Sequence, residues 1–514
     1  MSASKISALE ELRNKFTGKG NLAAKSKKAT FEFKDKSAFS YDMLYQLSCM
    51  SVISAAGVPR KLIFEYSSNL PCSAAEYFKR IDLTCERLKY DYAKGCRLVG
   101  ENTKEEKMRE LLLRFSSSLL SGEPEADFLV REAKAQAEEF DNEYVREIEA
   151  LKTWSDAYVS LIMCSVLIII MGIVSTMIWS VSNTFLIGLV AISAGTTAMG
   201  VYLIYLMSPR EKIVLSKPGS VEQKRAQKLF MYMLPLGAVL VSFIIMFKLN
   251  TGWALILIGI LVFPIGWIMN KDDLKVTKRD YEIGTFLASL GAISGAIGTT
   301  VKEALGRIDM DAINCLRPEV KRLYVRLKSG IRPKLCWNRF VEETGSELVR
   351  RCVGMFYDSI DLGGDAEQVG FHTSLFSTRM ALLRAKRKAV TMSFRWLTMA
   401  MHTAIIALLV FVSEVITIFG GMVTQAEAAM PNVSGGYSIS AFSTFNMESL
   451  GMLHSLVLPL VIIFTISDAL APTIADGGSW YKMFFNLGIL AVISGLCMIL
   501  LPGVASLLFK TVQM

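Results

Sequence analysis

The residue types that could carry catalysis or bind a metal are few in this chain, and their spacing fits no known site. The histidines, His372, His402 and His454, are scattered, and none of the nine cysteines forms a CxxC pair. The pattern GxxxxGK followed by Ser or Thr is absent, which excludes ATP binding through a P-loop. A Ser/His/Asp triad is left open, since its members can lie far apart in sequence. The residues therefore predict no enzyme, no metal and no cofactor.

Two carboxylates, Glu414 and Asp468, stand in otherwise apolar stretches. A charged carboxylate in hydrocarbon is unfavourable by several kcal/mol unless it is paired or hydrated, so such residues are candidates for function. We interpret Glu414, in the fifth predicted span, as a polar contact for a protein subunit that moves along the membrane helices, and Asp468, at the inner end of the sixth, as a second candidate intramembrane polar site. The alternative for Glu414 is a position near the outer interface, where water would hydrate it.

A basic run lies on the helix that is predicted to enter the fifth membrane span. Its residues are Arg379, Arg384, Lys386, Arg387, Lys388 and Arg395. Positive charge at the end of a span favours cytoplasmic retention and contact with lipid headgroups. The alternative is an electrostatic dock for an acidic face of a partner protein. Nucleic acid is not expected as a partner, because the net charge of +9 is spread along a membrane-bound chain.

These side chains are positioned by helices that cross a membrane. The chain is 52% hydrophobic with a mean hydropathy of +0.39, which is too apolar for an ordinary soluble enzyme. A backbone in lipid must satisfy its own hydrogen bonds, so apolar windows long enough for a ~30 Å hydrocarbon core are predicted helices. The sequence therefore predicts an all-α polytopic membrane protein with about seven spans. The predicted spans are residues 157–180, 184–207, 229–247, 252–270, 397–422, 449–468 and 483–509.

Orientation follows from the placement of positive charge, which is retained in the cytoplasm near span ends. All but two of the 56 Lys and Arg residues fall on one side of the predicted spans; the exceptions are Lys248 and Lys510. The sequence therefore predicts a cell-membrane protein with a cytoplasmic N-terminus and an external C-terminus.

Most of the charged residues lie in two segments, residues 1–156 and 271–395. An internal repeat is visible when these two charged segments are compared. Three pairs of positions carry it: Ile53–Gly57 with Ile293–Gly298, Leu120–Glu125 with Leu362–Glu367, and Trp154 with Trp396. A duplication constrains architecture more than any single motif does. We therefore predict two repeated cytoplasmic helix-bundle domains within a five-part chain. The parts are an N-terminal amphipathic helix and basic linker (1–39), domain 1 (40–156), four spans with the cytoplasmic loop 208–228 (157–270), domain 2 (271–396), and three spans with the external loop 423–448 (397–514).

Paired domains of this layout resemble the type II secretion system protein F domain. The matching features are the turn at Ile53–Gly57, the turn at Leu120–Glu125 and the span that follows each copy. The extra spans between the copies look most like the archaeal branch, the platform proteins of the archaellum and of archaeal type IV pili. The resemblance covers about residues 40–510. Its second copy departs from the pattern at Asp365-Ala366, so the two copies need not bind a partner equivalently.

The resemblance implies a platform at the base of a filament that catalyses nothing itself. Its implied partners are a hexameric secretion ATPase on the cytoplasmic side, pilin-like or archaellin-like subunits, membrane lipids and a second copy of the chain. The implied contact turns contain Gly122, Glu123, Pro124, Gly364 and Asp365. The alternatives are a secondary transporter, since such proteins also contain internal repeats, and a membrane scaffold of another kind.

An amphipathic stripe precedes the first domain. It consists of Ile6, Leu9, Leu12 and Phe16, and a Lys-rich segment follows it as far as Lys28. An amphipathic helix of this kind either lies on a membrane surface or binds a protein partner. The sequence favours neither. Asn432 begins a glycosylation-type sequon in the predicted external loop.

Overall fold

The computed structural model describes residues 36–178, 183–215, 219–246, 250–429 and 447–512. These residues form α-helices and one short 3-10 helix, with no β-strand among them. The α-helices are α1 (Lys36–Ala55), α2 (Arg60–Ser68), α3 (Ala75–Leu88), α4 (Tyr92–Glu101), α5 (Glu106–Ser121), α6 (Glu125–Ile178), α7 (Asn183–Met207), α8 (Val221–Met246), α9 (Thr251–Ile297), α10 (Val301–Leu305), α11 (Arg317–Lys328), α12 (Pro333–Thr344), α13 (Glu347–Asp361), α14 (Ala366–Ala429), α15 (Met447–Asp476) and α16 (Met483–Val512). The 3-10 helix, Trp480–Lys482, leads into α16.

Six of these helices, α6, α7, α9, α14, α15 and α16, are long and apolar enough to cross a membrane. The predicted all-α polytopic membrane fold is thereby confirmed. The remaining predicted span, 229–247, lies in α8 as far as Met246, and residue 247 is outside the described part of the chain. The N-terminal stripe and Asn432 also lie outside the described residues.

Three of the spanning helices, α6, α9 and α14, continue without a break from a charged segment into an apolar one. They contain 54, 47 and 64 residues, so α14 alone is about 96 Å long at 1.5 Å per residue. Neither α6 nor α14 contains a proline, and the proline of α9, Pro264, lies inside the predicted span. The polar and apolar parts of each helix therefore form a single rod.

Helices α9 and α16 pack antiparallel with their backbones in contact along a glycine seam. Its members are Gly252, Gly259 and Gly266 on α9, and Gly488 and Gly495 on α16. A Cβ atom placed on Gly266 would lie 1.9 Å from the backbone nitrogen of Phe485, and one on Gly259 would lie 2.8 Å from the carbonyl oxygen of Gly488. Small residues permit such close approach of membrane helices, whose association depends on van der Waals packing. The seam therefore fixes the position of α16 against α9.

Outside the spans, the two charged segments share a hydrophobic core. One buried cluster lies within the first segment and contains Phe64, Phe78 and Phe115. A larger cluster combines Tyr45 of α1 with Phe356 of α13, so it includes residues of both segments. We refer to the helices of residues 36–156 and 271–396 as the extramembrane bundle.

The turns of the predicted repeat adopt matching conformations. Gly57 and Gly298 follow α1 and α9 with φ values of 77° and 62°, and Gly122 and Gly363 follow α5 and α13 with φ values of 77° and 92°. In the second turn, the glycine with positive φ is thus Gly363, whereas the predicted repeat pairs Gly122 with Gly364. Glycine adopts positive φ at no steric cost, which explains its presence at both helix ends.

Candidate functional site: two buried polar networks at the end of the membrane bundle

The first network is centred on Arg384, in the part of α14 that approaches the membrane. Its guanidinium donates to Asp280 of α9 at 2.6 Å and to Glu211 in the loop after α7 at 3.1 Å. The side chains of Arg384, Asp280 and Glu211 are only 8%, 4% and 2% exposed. Ser346 donates to Asp280, and Tyr144 of α6 donates to Glu211 at 3.0 Å. One arginine therefore ties α6, α9, α14 and the loop after α7 together.

Arg387 lies one turn further along α14 and bonds to the ends of two membrane helices. Its guanidinium donates to the carbonyl oxygens of Ala475 (2.9 Å) and Pro209 (3.0 Å) and to the Ser208 hydroxyl (2.8 Å). Ala475 belongs to the last turn of α15, where carbonyl groups lack partners within the helix and a cation is favourable. Arg387 thus holds the polar ends of α7 and α15 against α14.

Two aspartates and three cations complete this network. Asp273 of α9 accepts from Lys388 at 2.8 Å and from Lys482 at 3.0 Å. Asp476, at the end of α15, pairs with Lys482 and with Arg395, the latter at 3.4 Å. We call the whole set the junction network, because it joins the extramembrane bundle to the spans. Its members are Glu211, Asp273, Asp280, Arg384, Arg387, Lys388, Arg395, Asp476 and Lys482.

The predicted docking run is therefore divided between the interior and the surface. Arg384 and Arg387 are buried and bonded within the chain, and Lys388 is paired with Asp273. Arg379 is half-buried beside Asp141 at 3.5 Å, whereas Lys386 is exposed. Of the six cations in this run, Lys386 is thus the one whose side chain is exposed.

The predicted contact turns are at the surface of the extramembrane bundle. Gly122 and Pro124 are exposed, and Glu123 pairs with Arg131 at 2.6 Å. In the second turn Asp365 is exposed. Gly364 is half-buried, and a Cβ atom on it would lie 2.8 Å from the Cβ of Ala56. The two turns therefore differ in access, since Gly122 is exposed and Gly364 packs against Ala56.

The two charged segments are joined by Arg351 of α13. Its guanidinium donates to Asp42 of α1 at 2.7 Å and lies over the rings of Tyr41 and Tyr45, 4.2 and 4.7 Å from their centroids. Burial raises the pKa of the Tyr41 hydroxyl to about 12, so this ring is neutral at physiological pH. A second link is the hydroxyl of Tyr66, which donates to Asp358 at 3.0 Å. These contacts make the extramembrane bundle one mechanical unit.

The second network lies among the spans and is centred on Asp468 of α15. One carboxylate oxygen accepts from Tyr158 of α6 at 3.0 Å, and the other is 2.7 Å from Nδ1 of His402 of α14. The imidazole Nε2 is 2.9 Å from the hydroxyl of Ser494 of α16, which is also 3.2 Å from Thr465. We call these five residues the Asp468 network. It joins four spanning helices.

The Ser494–His402–Asp468 order is that of a serine hydrolase triad, but its surroundings do not suit hydrolysis. Ser494 and His402 are both 0% exposed, and the serine hydroxyl is shared with Thr465. A triad needs a nucleophile that a substrate carbonyl and water can reach. The arrangement instead satisfies polar groups that would otherwise be unpaired in hydrocarbon. The other predicted intramembrane acid, Glu414, is half-buried. Within the described residues, no group of three or more His, Cys, Asp or Glu side chains is placed to hold a metal ion.

Replacing Asp468 with alanine should lower the free energy of unfolding by at least about 2 kcal/mol, because Tyr158 and His402 each lose a buried partner. Thermal unfolding in lipid nanodiscs measures the loss. The matched control is Glu414→Ala, which removes a half-buried acid from a spanning helix and should change stability by less than about 0.5 kcal/mol. Equal losses in the two variants would contradict a structural role for the Asp468 network.

Comparison with known proteins finds two similar chains, both named flagella accessory protein J. The protein from Methanocaldococcus jannaschii is 23% identical over 293 residues, which is 53% of this chain and 51% of that protein. The protein from Methanococcus voltae is 22% identical over 456 residues, which is 84% of this chain and 73% of that protein. The match thus spans about half the length of the first relative and nearly three quarters of the second. No family model and no solved structure matches the chain.

Proposed function

We propose that this chain is the membrane platform of an archaellum-type filament machine. The observation that carries the proposal is the similarity to two proteins named for an accessory role in flagella, one of which aligns with 84% of this chain. The resemblance to the protein F domain supports the same role. Deleting the gene in its host and counting surface filaments by electron microscopy tests it: loss of filaments, restored by the intact gene, is the expected result.

The platform acts in this proposal by coupling motion across the membrane boundary. An ATPase that moves the extramembrane bundle would also move the spans, because α6, α9 and α14 are single rods through both regions. The junction network holds these rods and the ends of α7 and α15 in fixed positions, so they move together. Glu414, half-buried in the fifth span, is the proposed polar contact for a filament subunit. No catalytic step is assigned to the chain itself.

The ATPase is proposed to bind the exposed side of the extramembrane bundle. This requires the predicted membrane orientation, in which the bundle lies in the cytoplasm. The surface candidates are Lys386 and the contact turns containing Gly122, Glu123, Pro124 and Asp365. Arg384 and Arg387 have a different role in this proposal, since their charges are used inside the junction network. A homodimer is also proposed, on the resemblance alone, and the mass of the protein in detergent would measure it.

Reversing the charge of Lys386 should weaken ATPase binding several-fold at low ionic strength. Charges at the rim of an interface act mainly through electrostatic steering, so the effect of Lys386→Glu should shrink as salt is added. Binding of the purified ATPase to the chain in nanodiscs measures it. The control is Lys328→Glu, the same charge change at an exposed position of α11. Equal binding by both variants would remove Lys386 from the interface.

The secondary transporter is the competing function. It predicts solute uptake by liposomes that contain the purified chain alone, and no retention of an ATPase during purification. Uptake of this kind, together with intact filaments in the deletion strain, would overturn the platform proposal.

A further inference from the structure

A groove of about 620 Å³ runs along the surface of the extramembrane bundle between α6 and α14, with α1 as its floor. Its walls are mostly apolar and include Val52, Val130, Ala137, Leu375, Phe376 and Leu382. The groove lies outside the predicted spans, so lipid chains are not expected to occupy it. An apolar groove between two long helices suits an amphipathic helix laid along it.

The α14 side of this groove exposes an apolar stripe of three side chains. Phe371, Leu375 and Leu382 are 58%, 54% and 54% exposed and lie on one helix face, with Leu375 and Leu382 in the groove wall and Phe371 one turn before them. Thr378 and Arg379 lie between the two leucines. Large exposed apolar side chains gathered on one water-facing surface mark an interaction site. From Phe371 to Leu382 the stripe is about 16 Å long at 1.5 Å per residue.

Two polar atoms beside the stripe also lack partners. The Oδ1 atom of Asp141 and the Nη1 atom of Arg379 are buried, and neither has a hydrogen-bond partner among the described residues. Buried polar atoms are nearly always hydrogen-bonded. An occupant of the groove that offers both a donor and an acceptor would satisfy them.

The chain itself contains a segment with matching dimensions. Ile6, Leu9, Leu12 and Phe16 form an amphipathic stripe that would extend about 15 Å as a helix. This length matches that of the exposed stripe on α14. Both sets of apolar side chains would be buried by a single contact.

One carboxylate of this segment suits the edges of the groove. On a helix Glu10 lies beside the apolar stripe, whereas Glu11 lies on the opposite face. Two exposed cations, Lys134 of α6 and Lys386 of α14, line the groove. Opposite charges at the rim of an apolar contact fix its orientation.

The segment can also reach the groove from its point of attachment. α1 begins at Lys36, and its groove-lining residues, Ser48 and Val52, lie about 18–24 Å further along the helix. Residues 17–35 can extend at most about 65 Å. The connection is therefore long enough for the segment to turn back onto its own chain.

We infer that residues Ile6–Phe16 bind as an amphipathic helix in the groove between α6 and α14 of the same chain. The inference stands whether or not the chain is a filament platform. It chooses a protein surface over the membrane surface, the two destinations that the sequence leaves open.

Photo-crosslinking of the full-length protein tests this inference. A benzophenone amino acid replaces Leu9 in the purified chain in nanodiscs, and mass spectrometry identifies the crosslinked peptides. The control places the same amino acid at Glu11, which lies on the opposite face of a helix. The expected result is a crosslink from position 9 to residues 130–145 or 371–386, several-fold stronger than from position 11. Mixing heavy-isotope and light-isotope protein shows whether the linked peptides come from one chain.

A second variant makes the test specific to the groove. Leu375→Asp with Leu382→Asp places two charges on exposed positions, so thermal unfolding should be unchanged while the crosslink is lost. Crosslinks to lipid, to another region, between isotopically different chains, or no stronger than from position 11 would each overturn the inference. A crosslink that persists in the double variant with unchanged thermal unfolding would do the same.

Discussion

Replacing Arg384 with alanine is expected to lower the free energy of unfolding by about 3–5 kcal/mol, the usual effect of removing one partner from a buried ion pair. The reason is that Arg384 serves two carboxylates at once. Without it Asp280 and Glu211 would be left almost fully buried, with two negative charges and no cation between them. Thermal unfolding in nanodiscs, followed by tryptophan fluorescence, measures the loss.

The neighbouring lysine provides the control for this result. Lys386 lies two residues away on the same helix but is exposed, so Lys386→Ala should change stability by no more than about 0.5 kcal/mol. Arg384→Lys keeps the charge but loses the planar group that reaches both carboxylates, and an intermediate loss is expected. If Arg384→Ala were as stable as Lys386→Ala, the network would not be a structural joint.

Replacing Gly266 with alanine is expected to destabilise the spans by about 3 kcal/mol or more, at the upper end of what overpacking costs. The added methyl group would meet the backbone of Phe485 at 1.9 Å, and a backbone atom cannot rotate away as a side chain can. The helices α9 and α16 would have to separate. The contact between Asp273 and Lys482 lies close by on the same two chain segments, so it should weaken as well.

Two other glycines in spanning helices serve as matched controls. A Cβ atom on Gly188 of α7 or on Gly503 of α16 would meet nothing within 4 Å. Gly188→Ala and Gly503→Ala should therefore be neutral or slightly stabilising, since alanine has the higher helix propensity. A comparable loss in all three variants would mean that helix propensity or lipid contact, and not the α9–α16 contact, sets the stability of this region.

The helical membrane fold was predictable because its cause is local. Long apolar windows must be helical in lipid whatever their neighbours are, and six of the seven predicted windows lie in helices that can cross a membrane. The helix ends were less predictable. α14 continues to Ala429, beyond the predicted end of the span, and passes through Gly420-Gly421, a pair that usually indicates a turn.

The inward orientation of the basic side chains on α14 was not predicted, although the sequence contains a signal for it. Arg384, Arg387, Lys388, Thr391 and Arg395 recur at helical spacing and define one face of α14. That face is turned inward because acids from α9 and α15 lie opposite it, and those acids are distant in sequence. The positive charge of these residues, taken alone, suggests that they lie on the protein surface. Their helical periodicity, combined with acids elsewhere in the sequence, indicates instead that they form buried ion pairs between helices.

The Asp468 network illustrates a different limit. Asp468 was predicted as a functional candidate, but His402 was noted only as one of three scattered histidines, and Ser494 and Tyr158 carried no signal of their own. Their association depends on which helices are neighbours and on the rotation of each helix, and both are properties of the packed bundle. The glycine seam was accessible in principle, since the seven-residue spacing of Gly252, Gly259 and Gly266 is visible in the sequence.

The unbroken course of α14 would let this helix act as a lever that pivots at the junction network. Measured from the middle of its junction residues, near residue 390, the arm towards residue 366 is about 36 Å long and the arm towards residue 422 is about 48 Å long. A sideways displacement of the Ala366 end would then produce a displacement about 1.3 times as large, in the opposite direction, at residue 422. A lever of this ratio reverses a movement and enlarges it slightly.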